Sequence, residues 1–248
     1  MLQPNLHSKL IAHCSLLIVH CSLKEMSYSA LATDYDGTLA KDGRVEPQTW
    51  EALDRLQSAG KKAILITGRQ LDDLKTICDR LDLFDVVVAE NGALLYIPQT
   101  QETRVLGDPP PPEFIETLRS RGVEFEAGEA IVATWKPYEE TVRQTIAEMG
   151  LSLEIILNKR AVMVLPAGAN KGSGLHAAIA HLNLQPETVV GVGDAENDIH
   201  LFEVCGCGVA VANALPEVKE KADRVTVGER GAGVRELIES ILGQFSDQ

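Results

Sequence analysis

Positive charge, paired cysteines and long apolar runs are all scarce in this chain of 248 residues. Acidic residues outnumber basic ones 36 to 23, for a formal net charge of -13. That balance argues against the broad basic footprint a nucleic-acid backbone requires, while leaving room for a local positive pocket around one phosphate. The five cysteines, Cys14, Cys21, Cys78, Cys205 and Cys207, are odd in number and contain no CxxC pair. They make no secreted disulfide framework and suit a reducing, cytoplasmic setting. The apolar stretch at 10–23 is too short to cross a bilayer. It is broken by His13, Cys14, His20 and Cys21 and has no convincing signal cleavage site, so no membrane association is expected. Within it His13-Cys14-Ser15-Leu16 returns as His20-Cys21-Ser22-Leu23. A His/Cys metal site would explain the repeat, but a dispensable leader over residues 1–25 explains it more simply, with the domain starting at Met26.

What is present is enough apolar residue, 45% of the chain, to fill an ordinary interior. From Ser29 short apolar runs alternate with amphipathic segments: strands over 30–33, 63–66 and 86–89, helices over 47–59 and 71–81. This alternation predicts a parallel sheet covered on both faces. The rhythm resumes after Lys171, with helices over 174–182, 197–204 and 234–242 and strands over 189–192, 208–211 and 224–227. Residues 98–167 differ in texture and carry the proline run 109–112 near their start. Strands over 130–135, 153–157 and 161–165 and helices over 113–121 and 138–149 are expected there. The expected class is therefore α/β, a Rossmann-like doubly wound parallel sheet built from 26–97 and 168–248, with 98–167 inserted as a small α/β cap.

The reactive residues stand where apolar strands end, which is where open parallel sheets bind ligands. The first strand delivers Asp34-Tyr35-Asp36-Gly37-Thr38. Two carboxylates so placed repel each other and lose hydration unless they share a hard divalent cation; taken alone, a turn built on Asp and Gly explains the pair about as well. The second strand ends in Thr67-Gly68-Arg69, where a hydroxyl and helix-start amides suit a phosphate oxygen, or where Thr67 merely caps a helix. Lys171 opens a helix and offers a point charge for phosphate. The fourth end reads Gly193-Asp194-Ala195-Glu196-Asn197-Asp198. Its acids fall four apart at a helix start and can converge on one centre, with Asn197 beside them. Each feature has an ordinary explanation; their joint occurrence, in this order, does not.

On those four segments the sequence resembles the haloacid dehalogenase superfamily, in the Cof-type branch whose cap follows the third core strand. The resemblance runs from about Ser29 to the end of the chain. It implies that Asp34 is a nucleophile toward phosphorus and that Asp36 protonates the leaving oxygen and then activates water. It implies Mg2+ held by the Asp34 side chain, the Asp36 carbonyl and Asp194, with Asn197 and Asp198 in support. Thr67 and Lys171 would hold the phosphoryl oxygens, with amides near Asp36 and Gly68 helping. Gly68, Arg69 and Asn91 are the expected substrate contacts. For Asn91 a turn-forming Asn-Gly is nearly as good an explanation.

The activity so implied is a phosphatase acting on a small phosphorylated metabolite, a sugar phosphate or phosphoglycolate, in a monomer or homodimer. A phosphomutase shares these acids, and a non-catalytic binding module would keep the fold. The cap cations Lys136, Arg143, Lys159 and Arg160 would either meet a second anionic group or stand solvated.

Overall fold

The computed structural model describes residues 28–158 and 160–243; the leader at 1–25 and Lys159 lie outside them. The elements of the first half are β1 (Ala30–Asp34), α1 (Pro47–Ser58), β2 (Lys62–Ile66), α2 (Leu71–Ile77), β3 (Val86–Ala89), β4 (Leu94–Ile97) and β5 (Glu102–Val105). The insertion holds α3 (Pro112–Ser120), β6 (Glu126–Ala127), β7 (Val132–Trp135), α4 (Glu139–Met149), β8 (Leu153–Asn158) and β9 (Ala161–Pro166). The chain then closes with α5 (Lys171–His181), β10 (Val189–Gly193), α6 (Ile199–Phe202), β11 (Cys207–Ala210), α7 (Pro216–Lys221), β12 (Arg224–Val225) and α8 (Arg230–Ile241).

The large sheet runs β12-β11-β10-β1-β2-β3-β4-β5. Its first six strands are parallel, and β4 and β5 add an antiparallel edge. β1, β2, β3 and β10 are buried almost throughout, as strands covered on both faces must be. Strand order turns around at β1 and β10, and such a reversal opens a crevice at the carboxyl ends of the strands. Thr33 pairs with Val192, so Asp34 stands opposite Gly193 with Asp194 one residue further on, and the parallel register brings both acids out at adjacent strand ends. This register is the step that joins two sequence segments into one site.

The smaller sheet, β6-β7-β9-β8, is antiparallel. One face buries Val132 and Val164 against Phe114, Leu118 and Val142 of α3 and α4. From the other face, Met163 and Leu165 pack with Ala93 and Ala169 of the large domain. The insertion is thus a two-layer lid with its bare sheet face toward the strand ends.

Several elements differ from the sequence reading. β4 and β5 were not expected, and β5 belongs to the large sheet although it lies inside 98–167; its exposed residues show no clear alternation. The helix expected over 71–81 stops at Ile77, because Cys78 turns extended (φ -103°, ψ 100°) and a separate turn, Leu81–Leu83, returns the chain so that Leu83 and Phe84 are buried. α8 starts at Arg230 instead of 234: Gly231, which reads as a loop residue, lies close against Thr49. α5 starts at Lys171, where Asn170 and Ser173 form a reciprocal cap with bonds of 3.0 and 2.9 Å. Among the described residues no helix is long and apolar enough to cross a membrane.

The cap at Asn170 fixes the first residue of α5, which is Lys171. Replacing Asn170 by Ala is expected to cost about 1–2 kcal/mol, read by chemical denaturation; a loss well under about 0.5 kcal/mol would show that packing alone sets the start of α5.

Candidate active site

Seven of the ten expected site residues line one cavity of about 310 Å³, opening at the strand ends: Asp34, Asp36, Thr67, Gly68, Arg69, Lys171 and Asn197. Ala195 completes the core side and Ala161 and Met163 of β9 form the roof. Asp194 and Asp198 stand beside Asp34, each buried, and ligand atoms of the three acids lie within 4.8 Å of one another. Asn91 is fully buried and does not line the cavity. Its left-handed backbone (φ 54°) turns it behind Asn197, whose amide donates to the Asn91 side-chain oxygen at 2.8 Å. It therefore orients a lining residue instead of lining the cavity itself.

Lys171 is 2% exposed, and its ammonium donates to Asp34 Oδ1 at 2.6 Å and to Asp198 Oδ1 at 2.5 Å. The second oxygen of Asp198 accepts the backbone N–H of Asp194 and of Ala195, both at 2.9 Å. Asp198 is thereby saturated and acts as a brace for Lys171 and for the Asp194 turn. The helix expected over 197–204 is instead the turn Glu196–Asp198 followed by α6, which ends at Phe202. Asp194 takes a bond from the Thr38 hydroxyl at 3.1 Å and rests against Gly37. At Gly37 (φ 88°) a Cβ would stand 2.5 Å from Asp194 Oδ2, so only glycine lets this turn and the Asp194 carboxylate come so near.

The charge balance of this cluster is uneven, with three buried carboxylates facing one buried ammonium. Burial first, and then Asp198 and Asp194, push the Asp34 carboxyl up to about 8 against the pull of Lys171. Burial would lower Lys171, but Asp198 and Asp34 hold it above its ordinary value. Oxygen donors with a deficit of positive charge fit a hard divalent cation, and Asp34 and Asp194 are the carboxylates placed to hold it.

The second group of contacts is half-buried. Arg69 grips Asp36 with two prongs, at 2.5 and 2.9 Å, and reaches Asp73 at 2.5 Å. Thr67 is buried and its hydroxyl accepts the Arg69 N–H at 3.1 Å. Of the cap cations, Lys136, Arg143 and Arg160 are exposed and do not line the cavity, and Arg143 pairs with Glu139 on its own helix.

Sequence reasoning missed four participants. Met163 and Ala161 carry no polar group to mark them. Thr38 reads as a turn residue. Glu90 is 1% exposed, yet its carboxylate accepts the N–H of Glu129 at 2.9 Å and of Ala130 at 2.6 Å, both in the cap. Burial pushes its carboxyl up while those two bonds pull it down. Its position before Asn-Gly is the sole sequence signal, and it reads as a turn.

The pattern of the haloacid dehalogenase-like hydrolases matches residues 31–127 and 135–238. A phosphoglycolate phosphatase of Methanothermobacter thermautotrophicus is 33% identical over 86% of this chain and 99% of its own length. One from Haloarcula marismortui is 31% identical over 84% and 95%. The crystal structure of a haloacid dehalogenase-like hydrolase from Bacteroides thetaiotaomicron superposes with a TM-score of 0.74 at 20% identity, covering 86% of this chain and 99% of that one.

The raised Asp34 carboxyl has a measurable consequence. Its value of about 8 in the metal-free fold stands against an ordinary 3.8, so the folded state binds the proton more tightly than the unfolded one and loses stability as pH rises between those values. A cation selects the ionised cluster and offsets that loss. The gain in Tm from a divalent cation over EDTA is expected to be larger at about pH 8 than at about pH 5.5; no gain, or the reverse order, would contradict the cluster as a cation site.

Proposed function

Since the chain belongs to the Cof-type branch of the haloacid dehalogenase-like hydrolase family, we propose that it is a Mg2+-dependent phosphatase that cleaves a small phosphorylated metabolite through an aspartyl-phosphate on Asp34. The observation that carries this reading is the convergence of Asp34, Asp194, Asp198 and Lys171 at one end of the cavity.

The phosphoryl group enters against Thr67, the Gly68 amide and Lys171. Positioning and neutralisation of spread charge supply most of the catalysis in such a transfer. Asp34 attacks the phosphorus; the bond to the leaving oxygen breaks, and Asp36 gives that oxygen a proton. Asp36 then takes a proton from water as the water oxygen attacks the aspartyl-phosphate, releasing inorganic phosphate and restoring Asp34. For this shuttle the Asp36 carboxylate turns from the Arg69 fork toward the leaving oxygen. Mg2+, held by Asp34, Asp194 and the Asp36 carbonyl, would supply neutralising charge beside the phosphoryl oxygens.

Phosphoglycolate is the substrate the cavity favours. Its volume is near the lower end for small-molecule sites. Arg69 is a cation on its wall in addition to Lys171, suited to a carboxylate. The roof side chains Ala161 and Met163 offer nothing to bond sugar hydroxyls. The relatives named above support the same choice.

Phosphate release with Mg2+ is expected to have a higher kcat/KM for phosphoglycolate than for hexose phosphates, and Asp34→Asn is expected to lower it by more than about 10³-fold with the fold intact. An unchanged rate in that variant would refute the nucleophile, and preference for hexose phosphates would refute the substrate.

A further inference from the structure

Glu90 is a buried acid that the chemistry above does not use. Its backbone is tied to the phosphoryl-binding loop: the Glu90 N–H donates to the Arg69 carbonyl and the Asn91 N–H to the Thr67 carbonyl, both at 2.9 Å. Its φ of 52° lies in the left-handed region, which a residue with a side chain keeps only where the surroundings over-determine it. Its carboxylate crosses into the cap. There the turn 128–131 is closed by a bond of 2.9 Å from the Gly128 N–H to the Ile131 carbonyl, and the successive N–H groups of Glu129 and Ala130 form a concavity for an anion. Glu90 fills it, at 2.9 and 2.6 Å. The fit leaves no slack, since a Cβ on Gly128 would stand 2.4 Å from Glu90 Oε1. Beyond the turn, Ala130 and Ile131 pack with Met163, and Met163 is part of the cavity roof.

We infer that Glu90 is a positioning residue: its carboxylate clasps the cap turn 128–131 and, through Ala130, Ile131 and Met163, sets the roof over the organic part of the substrate. The inference rests on the cavity being the substrate site. The clasp joins the loop that receives the phosphoryl group to the surface that meets the rest of the molecule, so both ends of the substrate are measured from one residue. An apolar residue at 90 would leave the buried N–H of Ala130 and the part-buried N–H of Glu129 without this acceptor; a carboxylate satisfies both at once.

Two variants attack the clasp from opposite sides. Glu90→Gln replaces one acceptor oxygen with an amide that meets a backbone N–H, and Gly128→Ala pushes the turn off the carboxylate. In each, KM for phosphoglycolate is expected to rise on the order of 10-fold. Inhibition by inorganic phosphate, which occupies the core alone, should change by less than about 2-fold. Loss of fold or of the phosphoryl site would move both constants together. Hydrogen exchange at the amides of 129 and 130, slow in the parent protein and faster in Glu90→Gln, reads the clasp without turnover. Absence of activity on phosphoglycolate would therefore strike the functional reading and leave the clasp to be decided by exchange. Unprotected amides in the parent protein, or an unchanged ratio of KM to the phosphate inhibition constant in the folded variants, would overturn the inference.

Discussion

Lys171 is 2% exposed, with its ammonium between Asp34 and Asp198, and the site is organised around that contact. An isolated charge so deeply buried would be neutralised instead of retained. Here each charge is kept because another compensates it, and breaking such a pair leaves the survivor uncompensated. The compensation is incomplete, since Asp194 adds a third carboxylate to the same volume. That residual deficit suits the cluster to a cation beside the carboxylate proposed as nucleophile, and distinguishes it from a closed ion pair. Burial first, and then the neighbouring carboxylates, push Asp34 up toward the protonated form in the metal-free protein.

The fold supplies the placement. Asp34 and Lys171 are 137 residues apart in the chain, and the parallel register of β1 with β10 and the capped start of α5 carry them to one point. The inserted domain performs a different task. Its helices cover one face of its sheet and leave the other bare over the strand ends, so the cap contributes walls and exclusion of solvent while the core contributes charge. Glu90 stands at the seam, with its backbone bonded to the loop after β2 at Arg69 and its side chain to the lid.

The acids at strand ends are legible in the sequence because each follows an apolar run: burial writes the run and the crevice beyond it demands polar residues. Asp34 and Asp194 are found this way, and Lys171 by its place at a helix start. Harder to read are features whose cause lies across the fold. Asn170 precedes α5 with the ordinary face of a loop residue, and only its bonds with Ser173 show it as a cap. Asn91 looks like a substrate contact until the turn after β3 carries it behind Asn197. β5 has an exposed, polar sequence and gains its place by pairing at a sheet edge. The roof residue Met163 is one more buried hydrophobe along β9. Non-local pairing and packing decide these cases, and a local pattern does not record them.

The central claim is that the buried cluster gathers one divalent cation next to the Asp34 carboxylate. Diffraction from crystals soaked in Mn2+, recorded for its anomalous signal, tests it most directly. A single strong peak within ligand distance of Asp34 and Asp194, about 2.2 Å from a carboxylate oxygen of each, is the predicted result. A peak elsewhere, or an empty cluster with Lys171 still bridging Asp34 and Asp198 at saturating Mn2+, would contradict it.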